Sequence, residues 1–309
     1  MNTATLHQYT PKNAPPRADV PIRHMDFRFE ASEADTRFYL NTELATAYFE
    51  ALSIFLTFGE DLVIDTARHH RQFLKDTELK RRVTSLIGQE AIHSKMHNEW
   101  NDVLAQHRFP VAFYRFLAHN VFKYGFKQLP HRLQLSLMAG IEHFTAVMAE
   151  FFMKHEEIFF ETDDEKQRAL WMWHMLEESE HKDIAYDVYQ TLSGSYPLRI
   201  SGFALAFITI LMLVPLGGAA IPVLRRPRNL LSLRYWKDVR RSVGLLFGPK
   251  EGVYGSTMGH ILDYLRPDFH PNDHDTTAYL EYYKERLLHP DTGLLTPYLV
   301  KEFVPAKRV

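Results

Sequence analysis

The sequence predicts an all-α protein in which a four-helix bundle carries a metal centre. Apolar residues recur at helical spacing along four long segments, and no alternating segments indicate a β-hairpin. The motif Glu-x-x-His also occurs twice, at Glu90 and His93 and again at Glu178 and His181, about ninety residues apart. Two such motifs, each preceded by a further glutamate, are typical of a dinuclear metal centre inside a four-helix bundle.

The four helices are predicted in order along the first two thirds of the chain. Helix one runs from Glu33 to about Arg71, helix two from about Thr77 to Gln106, helix three from Pro130 to about Phe160 and helix four from Glu165 to Thr191. A shorter helical stretch, 111–126, lies between helices two and three. The predicted regions are a flexible N-terminal arm (1–24), a metal-binding helical bundle (25–195), an apolar segment with a basic stretch (196–245) and a C-terminal helical extension (246–309).

Composition excludes several kinds of site. The 309 residues include no cysteine, which excludes thiolate metal sites and disulfides. The formal net charge of −2 gives no reason to expect nucleic acid as a partner. The N-terminal segment is polar and proline-rich and lacks the apolar core of a secretory signal, so we expect a cytoplasmic location.

Helix geometry selects the first candidate ligands. Residues i and i+3 share one face of a helix, so each Glu-x-x-His motif presents a carboxylate and an imidazole together. Glu60 lies sixteen residues before the loop near Asp76, and Glu90 lies fourteen residues after it. The two carboxylates therefore face each other if helices one and two form an antiparallel pair.

The third helix offers two glutamates at a suitable depth. The loop between helices three and four lies near Thr162, so the position opposite Glu178 is Ala146. Glu142 and Glu150 stand one turn to either side of Ala146, and spacing alone leaves both open as ligands.

Additional histidines stand close to both motifs. His174 precedes Glu178 by four residues on the same helical face, where it can bind a metal, orient a carboxylate or pack in the core; we favour a ligand. His97 follows His93 by four residues, and we expect it beside the ligands or at the surface. His143 points about 100° away from Glu142, which favours a structural role.

A single Glu-x-x-His motif on a helix is usually a solvated pair. Here apolar residues surround both motifs, including Ile87 and Ile92 at the first and Trp173 and Leu176 at the second. Buried charges need partners or a metal. Imidazole and carboxylate without thiolate favour two ions of iron or manganese, with zinc as the alternative.

The quoted motifs resemble known families. The paired Glu-x-x-His motifs are similar to those of ferritin-like di-iron carboxylate proteins, and the set of His174, Glu178 and His181 resembles the extra-histidine pattern of di-iron N-oxygenases. Residues 25 to 285 resemble the bacterial family labelled "predicted metal-dependent hydrolase", through the sequences Gly59-Glu60, Gly88-Gln89-Glu90-Ala91-Ile92-His93, Glu142-His143-Phe144-Thr145-Ala146 and Trp173-His174-Met175-Leu176-Glu177-Glu178-Ser179-Glu180-His181-Lys182. The helix separations that the resemblance implies favour Glu142 over Glu150.

Three functions follow as alternatives. The first is an oxygen-activating di-iron oxidase or oxygenase that acts on a small apolar substrate and takes electrons from a donor. The second is a metal-dependent hydrolase in which Glu150 or Glu177 serves as general base. The third is a non-enzymatic metal-binding protein. We expect the first because helix-bundle sites with these ligands mostly bind oxygen, which is an analogy at the level of fold.

An uncharged segment of twenty-five residues, Ile200 to Leu224, is long enough to cross a membrane. Pro215 and Pro222 interrupt it, and a basic run follows it. A membrane-associated hairpin or interfacial helix on the inner face, in contact with lipid through 200–241, is our first expectation. A true span and a buried or homodimer contact are the alternatives.

The C-terminal histidines can be read as a second metal cluster. His270 and His274 stand in a segment rich in Pro, Asn and Asp. We expect instead a turn there, followed by a helix that Asp275 caps.

Overall fold

The computed structural model describes residues 19–35, 42–107, 111–157 and 164–306. It confirms the predicted all-α class. The helices are α1 (Glu43–Arg71), α2 (Thr77–His107), α3 (Val111–Asn120), α4 (His131–Lys154), α5 (Glu165–His181), α6 (Ile184–Leu192), α7 (Tyr196–Ile208), α8 (Val214–Arg225), α9 (Leu233–Phe247), α10 (Val253–Asp263) and α11 (Thr277–Leu287). The two strands are β1 (Ile22–Met25) and β2 (Leu299–Phe303).

Four helices surround the main core. α1 packs on α2 and α4, and α5 packs on the same two helices. The short connection from Gln72 to Asp76 makes α1 and α2 antiparallel neighbours. The buried core between them is rich in aromatic side chains, including Phe49, Trp171 and Trp173. The likeness of this bundle to ferritin-like proteins stays a prediction.

Several predicted helix ends differ from the observed ones. Helix one begins at Glu43, and the residues predicted as its start form a 3₁₀ turn, Ala31–Asp35. The predicted helix four is two helices, because a break at residues 182–183 separates α5 from α6. The Asp183 carboxylate at this break accepts two hydrogen bonds from the buried Arg82 guanidinium, at 2.7 and 3.0 Å. The predicted end of helix three near Phe160 lies outside the described residues.

Strands β1 and β2 are antiparallel and pair Ile22 with Phe303, so they join the two ends of the described chain. Most of the predicted N-terminal arm, 1–18, lies outside the described residues. Its last residues form the start of β1, with Val20 and Ile22 buried. Sequence patterns gave no sign of this pairing because the two strands are short and distant in sequence.

The apolar segment forms a helix, Tyr196–Arg225, with a π-helical turn at Thr209–Leu213. α7 packs along α4, and α8 packs along α1. Both contacts are close: a Cβ on Gly202 would lie 2.2 Å from Ser136 Oγ, and one on Gly218 would lie 2.7 Å from Tyr48 Cα. Glycine is therefore required where this helix crosses the bundle.

Within the described ranges, two helices are long and apolar enough to cross a membrane by length and composition alone. His131–Lys154 is entirely buried in the protein, as expected of a core helix. Only 33% of the apolar window of Tyr196–Arg225 is buried. Length and composition alone are weak grounds for a membrane span.

Candidate metal centre

The structure brings six predicted ligands together in the middle of the bundle. α1 supplies Glu60, α2 supplies Glu90 and His93, α4 supplies Glu142, and α5 supplies Glu178 and His181. None of these side chains is more than 4% exposed. Each motif places its carboxylate and imidazole on one helical face, as the spacing predicts.

One half of the cluster is centred on His181. Its Nε2 atom lies 3.3 Å from Glu90 Oε1, 3.2 Å from Glu142 Oε2 and 3.3 Å from Glu178 Oε2. Its Nδ1 atom is 2.8 Å from the Gln89 side-chain oxygen. Because that oxygen can only accept, His181 donates through Nδ1, and the lone pair of Nε2 faces the carboxylates.

The other half contains Glu60, His93, His174 and the second oxygen of Glu178. His93 Nδ1 lies 3.9 Å from both Glu90 Oε2 and Glu178 Oε1. His174 Nε2 lies 3.0 Å from Glu178 Oε1 and 3.9 Å from Glu60 Oε1. Glu178 therefore lies between the halves, with one oxygen toward each.

Potential ligand atoms in this cluster lack hydrogen-bond partners among the described residues. They include both oxygens of Glu60, Glu90 Oε1, Glu142 Oε2, Glu178 Oε2, His93 Nδ1 and His181 Nε2. Burial of so many polar atoms without partners is costly, and cations would supply the missing interactions. The ligand atoms of Glu90, Glu142 and His181 lie within 4.8 Å of one another, as do those of Glu60, Glu90 and His93. The residues present therefore fit a metal centre of nitrogen and oxygen ligands.

A chain of hydrogen bonds fixes the orientation of His174. Asn101 donates to the Ser53 backbone oxygen, and Ser53 Oγ donates to Asn101 Oδ1 at 2.9 Å. Because the Ser53 hydroxyl proton is used in that bond, Ser53 Oγ accepts a hydrogen bond from His97 Nδ1 at 2.8 Å. His97 Nε2 is then unprotonated and accepts a hydrogen bond from His174 Nδ1 at 2.9 Å. His174 thus presents the lone pair of Nε2 to Glu178 and Glu60. This orientation suits a ligand, and His97 lies directly behind it.

Glu142 and Glu150 have different surroundings. Glu142 joins the cluster, whereas Glu150 lies eight residues further along α4, which is about 12 Å. Glu150 pairs with Lys154 and, at 3.2 Å, with His260. Its carboxylate belongs to a separate group with His260 and His274.

Glu177 lies behind the cluster, where it contacts His93 and Arg23. Its Oε2 atom is 2.9 Å from His93 Nε2, and its Oε1 atom accepts from Arg23 Nη1 at 3.1 Å. Neither Glu150 nor Glu177 lines the cavity beside the carboxylates of the cluster. The hypothesis that one of them serves as a general base stays a prediction.

Sequence reasoning missed the layer of polar residues behind the ligands. Arg23, from β1, donates to Glu180 at 2.8 and 2.9 Å and to Glu302 at 2.8 Å. Gln89 Nε2 donates to Glu180 Oε2 at 3.0 Å and to the Pro21 backbone oxygen at 2.8 Å. Gln89 stands within the first family motif, which was a usable signal. Arg23 had no such signal, because its burial depends on the pairing of β1 with β2.

Burial and mutual repulsion shift the pKa values of the cluster in the absence of a metal. Burial and the charge of Glu90 raise the pKa of Glu142 to about 8, and the same causes raise the pKa of Glu60 well above its usual value. Burial opposes a charge on His93, but Glu177 and Glu90 outweigh it and raise the pKa to about 10. Burial and His93 lower the pKa of His174. The cluster thus retains protons that a metal would displace.

A small cavity of about 40 Å³ lies beside the carboxylates. Glu60, Glu90, Glu142 and Glu178 line one end, and apolar side chains such as Phe55, Phe122 and Phe144 line most of the rest. The cavity also reaches Thr209 and Val214 at the π-helical turn of the apolar helix. None of the cluster histidines lines it, so the carboxylate side of the cluster is the side open to a small molecule.

His143 and His270 agree with structural roles, whereas His274 stands in the separate group with Glu150 and His260. His143 Nε2 donates to the Ile261 backbone oxygen at 3.1 Å, away from the cluster. His270 starts a 3₁₀ turn, Pro271–Asp273, and contacts Asp187 at 3.1 Å. The predicted helix, α11, begins at Thr277, one residue later than expected, and its N-cap residue is Thr276 rather than Asp275. Asp275 accepts from the Thr277 backbone amide at 2.9 Å. His274 contacts Asp263 at 3.0 Å.

Comparison with known proteins gives one match. The model of the family described as "predicted metal-dependent hydrolase" matches residues 21–275. None of the curated proteins and none of the solved structures compared with the chain matches it. The resemblance to di-iron N-oxygenases gains no support from these comparisons.

Proposed function

Because the chain belongs to the family of predicted metal-dependent hydrolases, we propose that it hydrolyses an apolar substrate at the buried carboxylate and histidine cluster. One observation carries this proposal. A fully buried group of carboxylate and imidazole atoms without hydrogen-bond partners lies at the end of an apolar cavity. Such atoms suit metal binding, and the apolar side chains that line the cavity suit an apolar group of a substrate.

The proposed ligands form two sets, and the carboxylates of Glu90 and Glu178 each direct one oxygen toward each set. Glu90, Glu142 and His181 would hold one ion, and Glu60, His93 and His174 would hold the other, with Glu178 between them. Bound metal would lower the pKa of a coordinated water and polarise a carbonyl oxygen. The identity of the metal is part of the proposal: zinc or manganese for hydrolysis, iron for oxidation.

The chain's own residues would orient the reactants and move a proton. Glu60 lines the cavity, and neither of its carboxylate oxygens makes a hydrogen bond among the described residues, so one can bind metal while the other accepts a proton from water. In an ester, water oxygen would add to the acyl carbon, the ester C–O bond would break, and the leaving alkoxide would take the proton from Glu60. Gln89 and Glu177 would hold His181 and His93 in position from behind.

Oxidation is the second candidate function. It is favoured by the ligand set of four carboxylates and histidines without thiolate, which suits iron, and by the aromatic walls of the cavity. An enzyme of this kind would also need an electron donor. The family description supports hydrolysis rather than oxidation, so oxidation takes second place.

Metal reconstitution distinguishes the two candidates. The metal-free protein is loaded separately with zinc, manganese and, without oxygen, ferrous iron, and each form is tested on p-nitrophenyl esters of increasing acyl length and for oxygen uptake. Hydrolysis by the zinc or manganese form, lost in Glu178→Ala, supports a hydrolase. Oxygen uptake by the iron form alone supports an oxidase. Metal-independent activity of either kind would contradict both.

The cytoplasm is the proposed location. A run of basic residues that includes Arg226 and Arg228 directly follows the apolar helix Tyr196–Arg225. Lys and Arg next to an apolar segment favour the cytoplasmic side of a membrane.

A further inference from the structure

An exposed apolar surface extends over three helices. Phe116 of α3 is 61% exposed, and Leu216 of α8 is 62% exposed. Leu231, which ends the 3₁₀ turn before α9, is 89% exposed, and in the first turns of α9 Leu233 is 83% exposed and Trp236 is 52% exposed. Apolar surfaces of this extent on soluble proteins usually mark an interaction site.

Two apolar grooves lie between these helices. One groove lies between α3 and α8, and the other lies between α8 and the C-terminal end of α9, where Val243 and Phe247 line it. Leu231, Leu233 and Trp236 lie around the opposite end of α9. Leu216 lines both grooves, so the surface continues across α8.

Basic residues border the same surface. Arg226, Arg228, Arg234, Lys237, Arg240 and Arg241 are all exposed. None of the six forms an ion pair with a carboxylate in the part of the chain that the structure describes. Four of them, Arg226, Arg234, Lys237 and Arg241, line one polar depression together with Glu43 and Asp238. An apolar surface beside a basic one is complementary to an anionic lipid membrane.

The packing of the apolar helix indicates how it would meet a membrane. α7 lies against α4 and α8 lies against α1, so the helix follows the bundle along its length. A span through the bilayer would therefore draw the bundle, with its charged outer residues, into lipid. The packing favours contact with the bilayer surface instead.

The cavity beside the carboxylate cluster lies next to this surface. Phe55 lines both the cavity and the groove between α3 and α8. Val214 lines the cavity, and its neighbour Leu213 lines the groove. The wall between cavity and groove is thus a few apolar side chains at the π-helical turn, a departure from α-helical geometry that is frequent at functional sites.

We propose that the face formed by α3, α8 and α9 docks on an anionic lipid membrane and that the substrate is an amphiphile with a long apolar chain. The chain would pass from the bilayer between α3 and the π-helical turn into the cavity. Its ester or amide group would then reach Glu60 and Glu178. The identity of the substrate rests on the proposed function, whereas membrane docking does not.

Vesicle binding tests the docking step. The full-length, metal-loaded protein is sedimented with vesicles of phosphatidylcholine alone and of phosphatidylcholine mixed with phosphatidylglycerol. We expect binding to the mixed vesicles that weakens as salt increases, because the contact includes exposed basic residues. The double variant Leu231→Glu with Trp236→Glu should bind about tenfold more weakly or worse. Val300→Glu is the matched control, since Val300 is 65% exposed on β2.

The variants must keep their metal content and melting temperature, so that weak binding reflects the surface. Equal binding of the double variant and the control to mixed vesicles would overturn the proposed face. A stable dimer that buries this face and fails to bind vesicles would also overturn it and would assign the surface to a second copy of the chain.

A second comparison tests the substrate class. The double variant should hydrolyse a short-chain ester in solution as the wild type does, but should lose activity on a long-chain ester held in mixed vesicles. No hydrolysis of any ester, with vesicle binding intact, would count against the proposed function alone. Hydrolysis of only the soluble ester by the wild type, under conditions of vesicle binding, would overturn the proposed substrate class.

Discussion

At the scale of single residues, hydrogen-bond geometry separates proposed ligands from supporting residues. His181 is held at Nδ1 by Gln89, and His93 Nε2 faces Glu177, so each imidazole presents its other nitrogen to the carboxylates. His174 is held in the same way by His97. Partners of this kind fix the tautomer and direction of a metal-binding imidazole.

Replacement of the two α4 glutamates should have opposite effects on the buried metal. Glu142→Ala should remove metal from the cluster, because Glu142 Oε2 lies 3.2 Å from His181 Nε2. Glu150→Ala should leave that metal in place, because Glu150 pairs with Lys154 and His260. Metal analysis of both purified variants checks this. If only Glu150→Ala lost metal, Glu150 rather than Glu142 would be the ligand that α4 supplies.

Glu177 should act as a positioning residue for His93. We expect Glu177→Gln to weaken metal affinity about 10–100-fold while the site still fills at saturating metal. Glu302→Gln is the matched control, because Glu302 also pairs with Arg23 but is exposed and does not contact His93. Metal titration of the three proteins is the measurement. Similar affinities for the wild type and Glu177→Gln would show that Glu177 only neutralises Arg23.

At the scale of secondary-structure elements, α5 contributes more to the centre than any other helix described. It supplies the proposed ligands His174, Glu178 and His181, together with the supporting Glu177 and Glu180. Spacing along the sequence predicted that these three side chains share a face, since i, i+4 and i+7 lie on one side of a helix. The roles of the other two could not be predicted, because they depend on partners from α2 and β1.

Gly59 of α1 provides a test of whether the substrate occupies the cavity beside the carboxylates. A Cβ on Gly59 meets no atom within 4 Å, although the residue is buried and lines the cavity. Gly59→Ala should stabilise the helix by about 0.5–1 kcal/mol. The same methyl group should narrow the cavity and reduce activity on a bulky substrate about tenfold or more.

Gly259→Ala on α10 is the control for Gly59→Ala. A Cβ there also meets no atom within 4 Å, but the residue is exposed. It should give a similar gain in stability with unchanged activity. Equal activity of both variants on substrates of every size would contradict the view that substrate occupies this cavity. Thermal melting and a substrate-size series provide the data.

At the scale of the whole molecule, the cluster couples stability to pH and metal. The pKa of Glu142 is about 8 in the folded protein without metal, against 4.5 for an unperturbed glutamate, and the pKa of His93 is about 10 against 6.5. Both groups bind protons more tightly when folded. Their contributions to stability are complete below the unfolded pKa values and are lost as pH rises through the folded ones.

We therefore expect the melting temperature of the metal-free protein to fall between about pH 7 and about pH 10. Metal displaces these protons, so the stabilisation by added metal should grow over the same range. Melting curves with a chelator and with added metal check both trends. In Glu142→Gln the melting temperature of the metal-free protein should depend less on pH. If the stabilisation by added metal did not change with pH, the account would be contradicted.

Features that depend on residues close together in the sequence could be predicted, and features that depend on contacts between distant segments could not. Helical periodicity predicted the bundle, and motif spacing predicted the residues that meet in its centre. The buried position of Arg23 depends on β1 pairing with β2 across almost the whole chain, and no local pattern encodes that pairing. The choice of Glu142 over Glu150 needed the family resemblance, because depth along the helix fitted both equally well.

The most direct test of the central claim is the metal content of the purified wild-type protein and of Glu178→Ala, measured by mass spectrometry after reconstitution. Glu178 directs one oxygen toward each half of the cluster. The account predicts two metal ions per chain in the wild type and none held tightly in the variant, with the fold of both proteins intact by circular dichroism. Equal metal content in the two proteins, or no metal in either, would contradict it.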